Sequence, residues 1–126
     1  RYGHHGRVRS QHRRVGAAAT GTSNFVRYAS NPILSNSDCL TYWTPIYLGA
    51  ENICMSGAGG RSPCFGDSGG PLTVSIDAGR SLLVGITSFG AAIGCAAGYP
   101  SVFVRVSYYR DWIQQNSDYC NIPNKM

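Results

Sequence analysis

Gly66-Asp67-Ser68-Gly69-Gly70-Pro71 decides the fold: a serine among glycines, with Cys64 just ahead and an apolar run over residues 72–76 just behind. Glycine lets a backbone take positive φ and approach a ligand closely. Successive N–H groups in such a turn can converge on one point, which an oxyanion requires. An ordinary glycine-rich turn has the same composition, so the flanks must discriminate. Gly66-x-Ser68-x-Gly70 also fits the nucleophile elbow of α/β-hydrolases, which needs an apolar strand before it and a helix after it. Here Gly59-Gly60-Arg61-Ser62-Pro63 comes before and a strand pattern comes after. The context is inverted, and the elbow is excluded.

The neighbouring segments are short and β-like. Residues 71–76 read as a strand, Asp77-Ala78-Gly79-Arg80 as a hairpin turn, and residues 81–89 as a long strand rich in Leu, Val and Ile. Asn52-Ile53-Cys54-Met55 and residues 101–106 are further strands, and residues 25–34 are a strand interrupted at Pro32. Glycine-rich or small-residue loops fill 56–63 and 90–98. Ser35-Asn36-Ser37-Asp38 is a helix start, with Cys39, Leu40 and Trp43 on a short turn. Residues 107–116 read as a helix capped by Ser107, with Tyr108, Trp112 and Ile113 on one face. Residues 1–23 are low in pattern, and no internal repeat is present. Closely spaced strands with one terminal helix predict an antiparallel barrel or sandwich.

The chain has 126 residues, 43% hydrophobic and 13% charged, which excludes a disordered tail. No apolar run approaches the ~18 residues of a spanning helix. The net charge is +5, but residues 1–14 hold Arg1, Arg7, Arg9, Arg13 and Arg14 and no acid. Residues 15–126 hold six basic and six acidic residues, so the body is neutral and a nucleic-acid-binding domain is not expected. The basic segment reads either as an arm for phosphate or heparin, or as a solvated or mis-specified end; the second reading is preferred. His4, His5 and His12 lack a second cluster of Cys or acids, so no metal site is assigned. The five cysteines form no C-x-x-C pair, and disulfides in a secreted protein are the better reading. The odd count leaves Cys120 as the spare, free or paired to another segment. The chain opens with neither Met nor a signal peptide and is expected to be a fragment.

With these residues in view, the sequence resembles the chymotrypsin/trypsin-like serine proteases, which carry Gly-Asp-Ser-Gly-Gly-Pro around their nucleophile. Asn31-Pro32-Ile33-Leu34-Ser35-Asn36-Ser37-Asp38-Cys39, Asn52-Ile53-Cys54, Ser88-Phe89-Gly90, Cys95, Pro100-Ser101-Val102-Phe103 and Trp112-Ile113 follow the family's order and spacing. Insect digestive chymotrypsins and collagenase-like enzymes look most similar. The resemblance implies an all-β fold: the C-terminal antiparallel Greek-key barrel of a double barrel, with a C-terminal α-helix. Residues 1–19 are then an atypical basic segment that resembles a frameshift or mis-spliced end, 20–120 the barrel, and 121–126 a tail.

The resemblance also implies roles. Ser68 is the nucleophile, the backbone N–H groups of Gly66 and Ser68 form the oxyanion hole, and Asp67 is the carboxylate that pairs with a new N-terminus on zymogen cleavage. Ser62 lies at the pocket base where trypsins carry Asp, which implies cleavage after large apolar or aromatic residues. Ser101 narrows the pocket's back, and Ser88, Phe89 and Gly90 pair with substrate backbone. Disulfides Cys39–Cys54 and Cys64–Cys95 are implied; no cofactor and no metal are. The family's catalytic His and Asp belong to an N-terminal barrel that this chain lacks, so that barrel and a protein or peptide substrate are the expected partners, with no nucleic acid and no membrane. The expectation is a secreted serine endopeptidase of a digestive lumen, inactive as this chain alone. A non-catalytic homologue that binds partners is the alternative, and the intact Ser68 argues against it.

Overall fold

The computed structural model describes residues 5–15 and 18–119. Arg1, His4, Cys120 and the 121–126 tail lie outside them.

Strand β3 (Asn52–Met55) shows why this sequence folds as it does. All four of its residues are buried, although successive side chains leave a strand on opposite faces. Ile53 and Met55 join Leu72 and Phe103 in one apolar cluster, while Cys54 joins Cys39, Leu48 and Val102 in another. Strand β6 (Ser101–Arg105) is split in the same way, with Phe103 opposite Ile53 and Val102 opposite Cys54. The β3–β6 ribbon therefore has a covered inner face and a covered outer face, which is why both strands are apolar without alternation.

Around this ribbon run β1 (His5–Val15), β2 (Ala18–Leu34), β4 (Pro71–Ser75) and β5 (Ser81–Phe89). The order is β1-β2-β3-β6-β5-β4, every pair antiparallel, and β1 closes on β4 to make a barrel. The expected antiparallel barrel is present. On its outer face the short helix α1 (Asn36–Cys39) is tied to β3 by the Cys39–Cys54 disulfide. Ser35 caps α1, its Oγ accepting the Asp38 N–H at 3.1 Å, a contact worth about 1 kcal/mol.

Three sequence readings are corrected. Residues 5–15 and 18–23, read as low in pattern, are strand. Gly6 is buried, and a Cβ there would come within 2.6 Å of Leu72 Cδ1, so β1 lines the barrel at a point where a larger residue would displace the Leu72 side chain. Pro32 does not interrupt β2. Its Cα partner is His5, the last pair of the β1–β2 ladder, where a missing N–H costs no central bond. Ser107 does not cap the terminal helix. It sits within a 3-10 turn, Val106–Tyr109, and α2 (Arg110–Asn116) starts only afterwards, with no side-chain cap. Nor is the helix face covered: Tyr108 and Trp112 are 57% and 63% exposed, and only Ile113 is half-buried.

The expected hairpin turn at 77–80 is present, with Ala78 at φ 59° and Gly79 at φ 71°. Two positive φ values in succession define a type I′ turn, and Ala78 is the one non-glycine residue with positive φ among the described residues. A Cβ in this conformation costs about 1 kcal/mol. Ala78→Asn supplies the preferred Asn-Gly pair and should raise the melting temperature by roughly 3–6 °C, read by circular dichroism.

Candidate active site

Ser68 is displayed by two consecutive turns. Asp67 N–H donates to Cys64 O at 2.9 Å, and Gly70 N–H donates to Asp67 O at 3.0 Å. The third residue of each turn is a glycine with positive φ, Gly66 at 91° and Gly69 at 82°. That is the type II pattern, which side chains resist. Ser68 is the second residue of the second turn and is exposed. The turns are fastened to β5: Gly69 N–H donates to Thr87 O at 3.0 Å, and the Thr87 N–H and Oγ1–H both donate to Gly70 O. Beneath them Asp67 is 4% exposed, and its Oδ2 accepts the Cys64 N–H at 2.7 Å. A buried carboxylate needs such donors to offset its desolvation.

Two loops meet beside this turn along their length. Gly57 packs so closely on Gly98 and Tyr99 that a Cβ there would overlap the Tyr99 carbonyl oxygen, and one on Gly60 would come within 3.3 Å of Ala96. Ser62 Oγ lies 2.7 Å from Cys95 O and 2.8 Å from Pro63 O, so its single proton can serve either carbonyl. The Cys64–Cys95 disulfide closes the pair of loops. From behind, Asn31 Nδ2 donates to Ser56 O at 2.7 Å and to Ala58 O at 2.9 Å, and Ser56 N–H donates to Pro32 O. The loop walls are thus held by glycine contacts, one disulfide and one buried amide.

The other anticipated residues are distributed as follows. Ser62 and Ser101 are buried, at 7% and 2% exposure, Ser101 opening β6 opposite Met55. Ser88 is exposed at a bulge: Thr87 pairs with Phe103 and Phe89 with Val102, which leaves Ser88 as the extra residue. Phe89 packs edge-to-face on Trp43 at 5.2 Å and contacts the outer apolar cluster. Gly90 is exposed. Ser68, Thr87 and Asp67 are thus brought together, with Ser62 joined to them through Cys64. The two implied disulfides are both formed. A separate cleft of about 310 Å3 is lined by Asp38, Tyr42, Gly57, Gly98 and Pro100 among others; neither Ser68 nor Ser62 lines it. No group of three metal-ligating side chains occurs among the described residues.

Asn31 and Thr87 were not assigned roles from the sequence. An asparagine ahead of the apolar Pro-Ile-Leu run was a usable signal for Asn31, because a buried amide must find partners. Thr87 carried none, since threonine is common in strands.

Comparison with known proteins gives a consistent picture. The Trypsin family model matches residues 5–113, so it reaches into the segment set apart at 1–19. Brachyurin from Leptuca pugilator is 48% identical over 97 residues, 77% of this chain and 40% of that protein. Collagenase from Hypoderma lineatum is 41% identical over 73% of this chain and 34% of its own length. The solved HL collagenase structure overlays with a TM-score of 0.78 at 34% identity, covering 93% of this chain and 47% of that one. The chain therefore spans less than half the length of these relatives. On the family match over most of its residues, and on the relatives that share its barrel, this protein belongs to the trypsin family.

Proposed function

We propose that this chain supplies the nucleophile and specificity pocket of a secreted serine endopeptidase that cleaves after large apolar or aromatic residues. The observation that carries the reading is the pair of glycine turns that expose Ser68 over a buried Asp67. Ser68 Oγ attacks the scissile carbonyl as a histidine accepts its proton. That histidine and its aspartate come from an upstream barrel of the longer protein. The N–H groups of Gly66 and Ser68 stabilise the tetrahedral oxyanion, the amine leaves with the proton returned by the histidine, and water hydrolyses the acyl-enzyme. Asp67 is the switch: in the activated protein its carboxylate pairs with a new N-terminal ammonium.

Substrate selection follows from the pocket walls. Ser62 brings no charge to the base, so a cationic side chain finds no partner there, and Ser101 shortens the cavity toward Leu or Met. Residues 88–90 continue β5 past its pairing with β4, an edge to which a substrate can add as a strand. Two disulfides favour an oxidising, extracellular setting, and relatives named collagenase and chymotrypsin favour a digestive one. No helix of the described residues is long and apolar enough to cross a membrane.

The 126 residues alone lack the general base and its orienter. They should hydrolyse an aromatic anilide at least about 10³-fold more slowly than a full-length relative under the same conditions. Turnover within an order of magnitude of that relative would sink the claim that the general base comes from outside these residues.

A further inference from the structure

The β1–β2 hairpin carries a charge that the body of the chain does not. Residues 1–37 contain no Asp or Glu, while Arg7, Arg9, Arg13 and Arg14 stand on β1 and Arg27 on β2. The register gives that charge a neighbour. β1 runs antiparallel to β4, with Gly6 opposite Val74 and Val8 opposite Leu72. β4 begins at Pro71, directly after Ser68-Gly69-Gly70. Each β1 residue after Val8 is therefore a step toward, and then past, the end of the barrel that bears Ser68. Beyond Val8 the described residues of β1 pair with β2 alone: Arg9 opposite Tyr28, Ser10 opposite Arg27, Arg14 opposite Ala19. The basic part of the hairpin continues beyond the barrel on the Ser68 side.

We infer that this hairpin binds acidic polypeptide and directs cleavage to bonds with Asp or Glu a few residues away. The binding stands by itself; the effect on cleavage rests on Ser68 being the nucleophile. Guanidinium groups pair with carboxylates through two parallel hydrogen bonds, and arginine is the residue suited to that geometry. From Val8 to Arg13 the strand advances about 16 Å, the reach of about five residues of extended peptide. A single-stranded nucleic acid would need aromatic platforms for its bases; β1, which carries four of the hairpin's five arginines, has no Phe, Tyr or Trp, and the hairpin's two, Phe25 and Tyr28, stand on β2. The substrates of a protease family are polypeptides, which favours carboxylate over sulfate as the anion read here.

The test uses two fluorescein-labelled hexapeptides with one Phe each, one bearing three Glu and the other three Gln, titrated into the 126-residue chain at 50 mM NaCl. The acidic peptide should bind at least about tenfold more tightly by anisotropy, and 0.5 M NaCl should erase the difference on the unaltered chain. Combined Arg9→Gln, Arg13→Gln and Arg14→Gln should also erase it, whereas Ser68→Ala should not. Equal binding of the two peptides, or a preference that survives both salt and the triple substitution, would overturn the proposal. So would saturable binding of a heparin oligosaccharide without any preference between the peptides. In the longer protein, kcat/KM should favour the Glu peptide by a similar factor, and equal turnover of the two would overturn the directing role. Binding preference without turnover of either peptide would instead count against the peptidase reading.

Discussion

Replacing Ser68 by alanine is expected to lower kcat/KM for an aromatic anilide by roughly 10⁶-fold when the chain is joined to the upstream barrel proposed to supply the histidine and aspartate. The size of the effect comes from removing the atom that forms the acyl bond, because the remaining groups act as a unit with it. The fold should not notice. Ser68 is exposed, and its hydroxyl makes no hydrogen bond to any other described residue. The turns depend on backbone bonds from Asp67 and Gly70 and on positive φ at Gly66 and Gly69, none of which needs the Ser68 side chain. Stability should stay within about 0.5 kcal/mol. Residual catalysis of about 10³-fold over water should persist, since the oxyanion donors proposed for this site are backbone groups. A loss of only a few-fold with an unchanged melting curve would remove Ser68 from the chemistry.

Ser62→Asp should lower kcat/KM for aromatic substrates by about 10²–10³-fold, the rate equivalent of leaving a buried carboxylate unpaired. Ser62 is 7% exposed, and the atoms nearest its Oγ are the carbonyl oxygens of Cys95 and Pro63. A carboxylate there gains two repulsive acceptors and loses water. An arginine substrate brings the missing countercharge, so the ratio of arginine to phenylalanine cleavage should rise even as absolute activity falls. The measurement is kcat/KM on matched anilides with Phe, Leu and Arg at the cleaved position. Unchanged aromatic activity would place Ser62 off the pocket.

The barrel was legible because its signals are local or periodic. Asn52-Ile53-Cys54-Met55 announces a short strand, and Ser35 before Asp38 announces a helix start. β1 was not legible. Its contribution to the barrel is a buried glycine, which has no hydropathy to display, and its arginines obscured the rest. The false cap at Ser107 has a similar origin: whether the chain enters its last helix in a 3-10 or an α turn depends on where β6 ends, not on the capping residue.

Within the site, the amino-acid order alone marked the turn that displays Ser68, because glycine at 66 and 69 is free to take the positive φ that the turn uses. Joined to the family resemblance, it also gave the cysteine partners. The tertiary structure alone decided how loops 57–64 and 95–99 lie against each other, which carbonyls Ser62 faces, that Asn31 and Thr87 hold the walls, and which end of the barrel receives the basic hairpin. Backbone conformation is set by neighbours in sequence, whereas partners tens of residues apart are chosen by strand register, and register follows from the packing of the whole barrel.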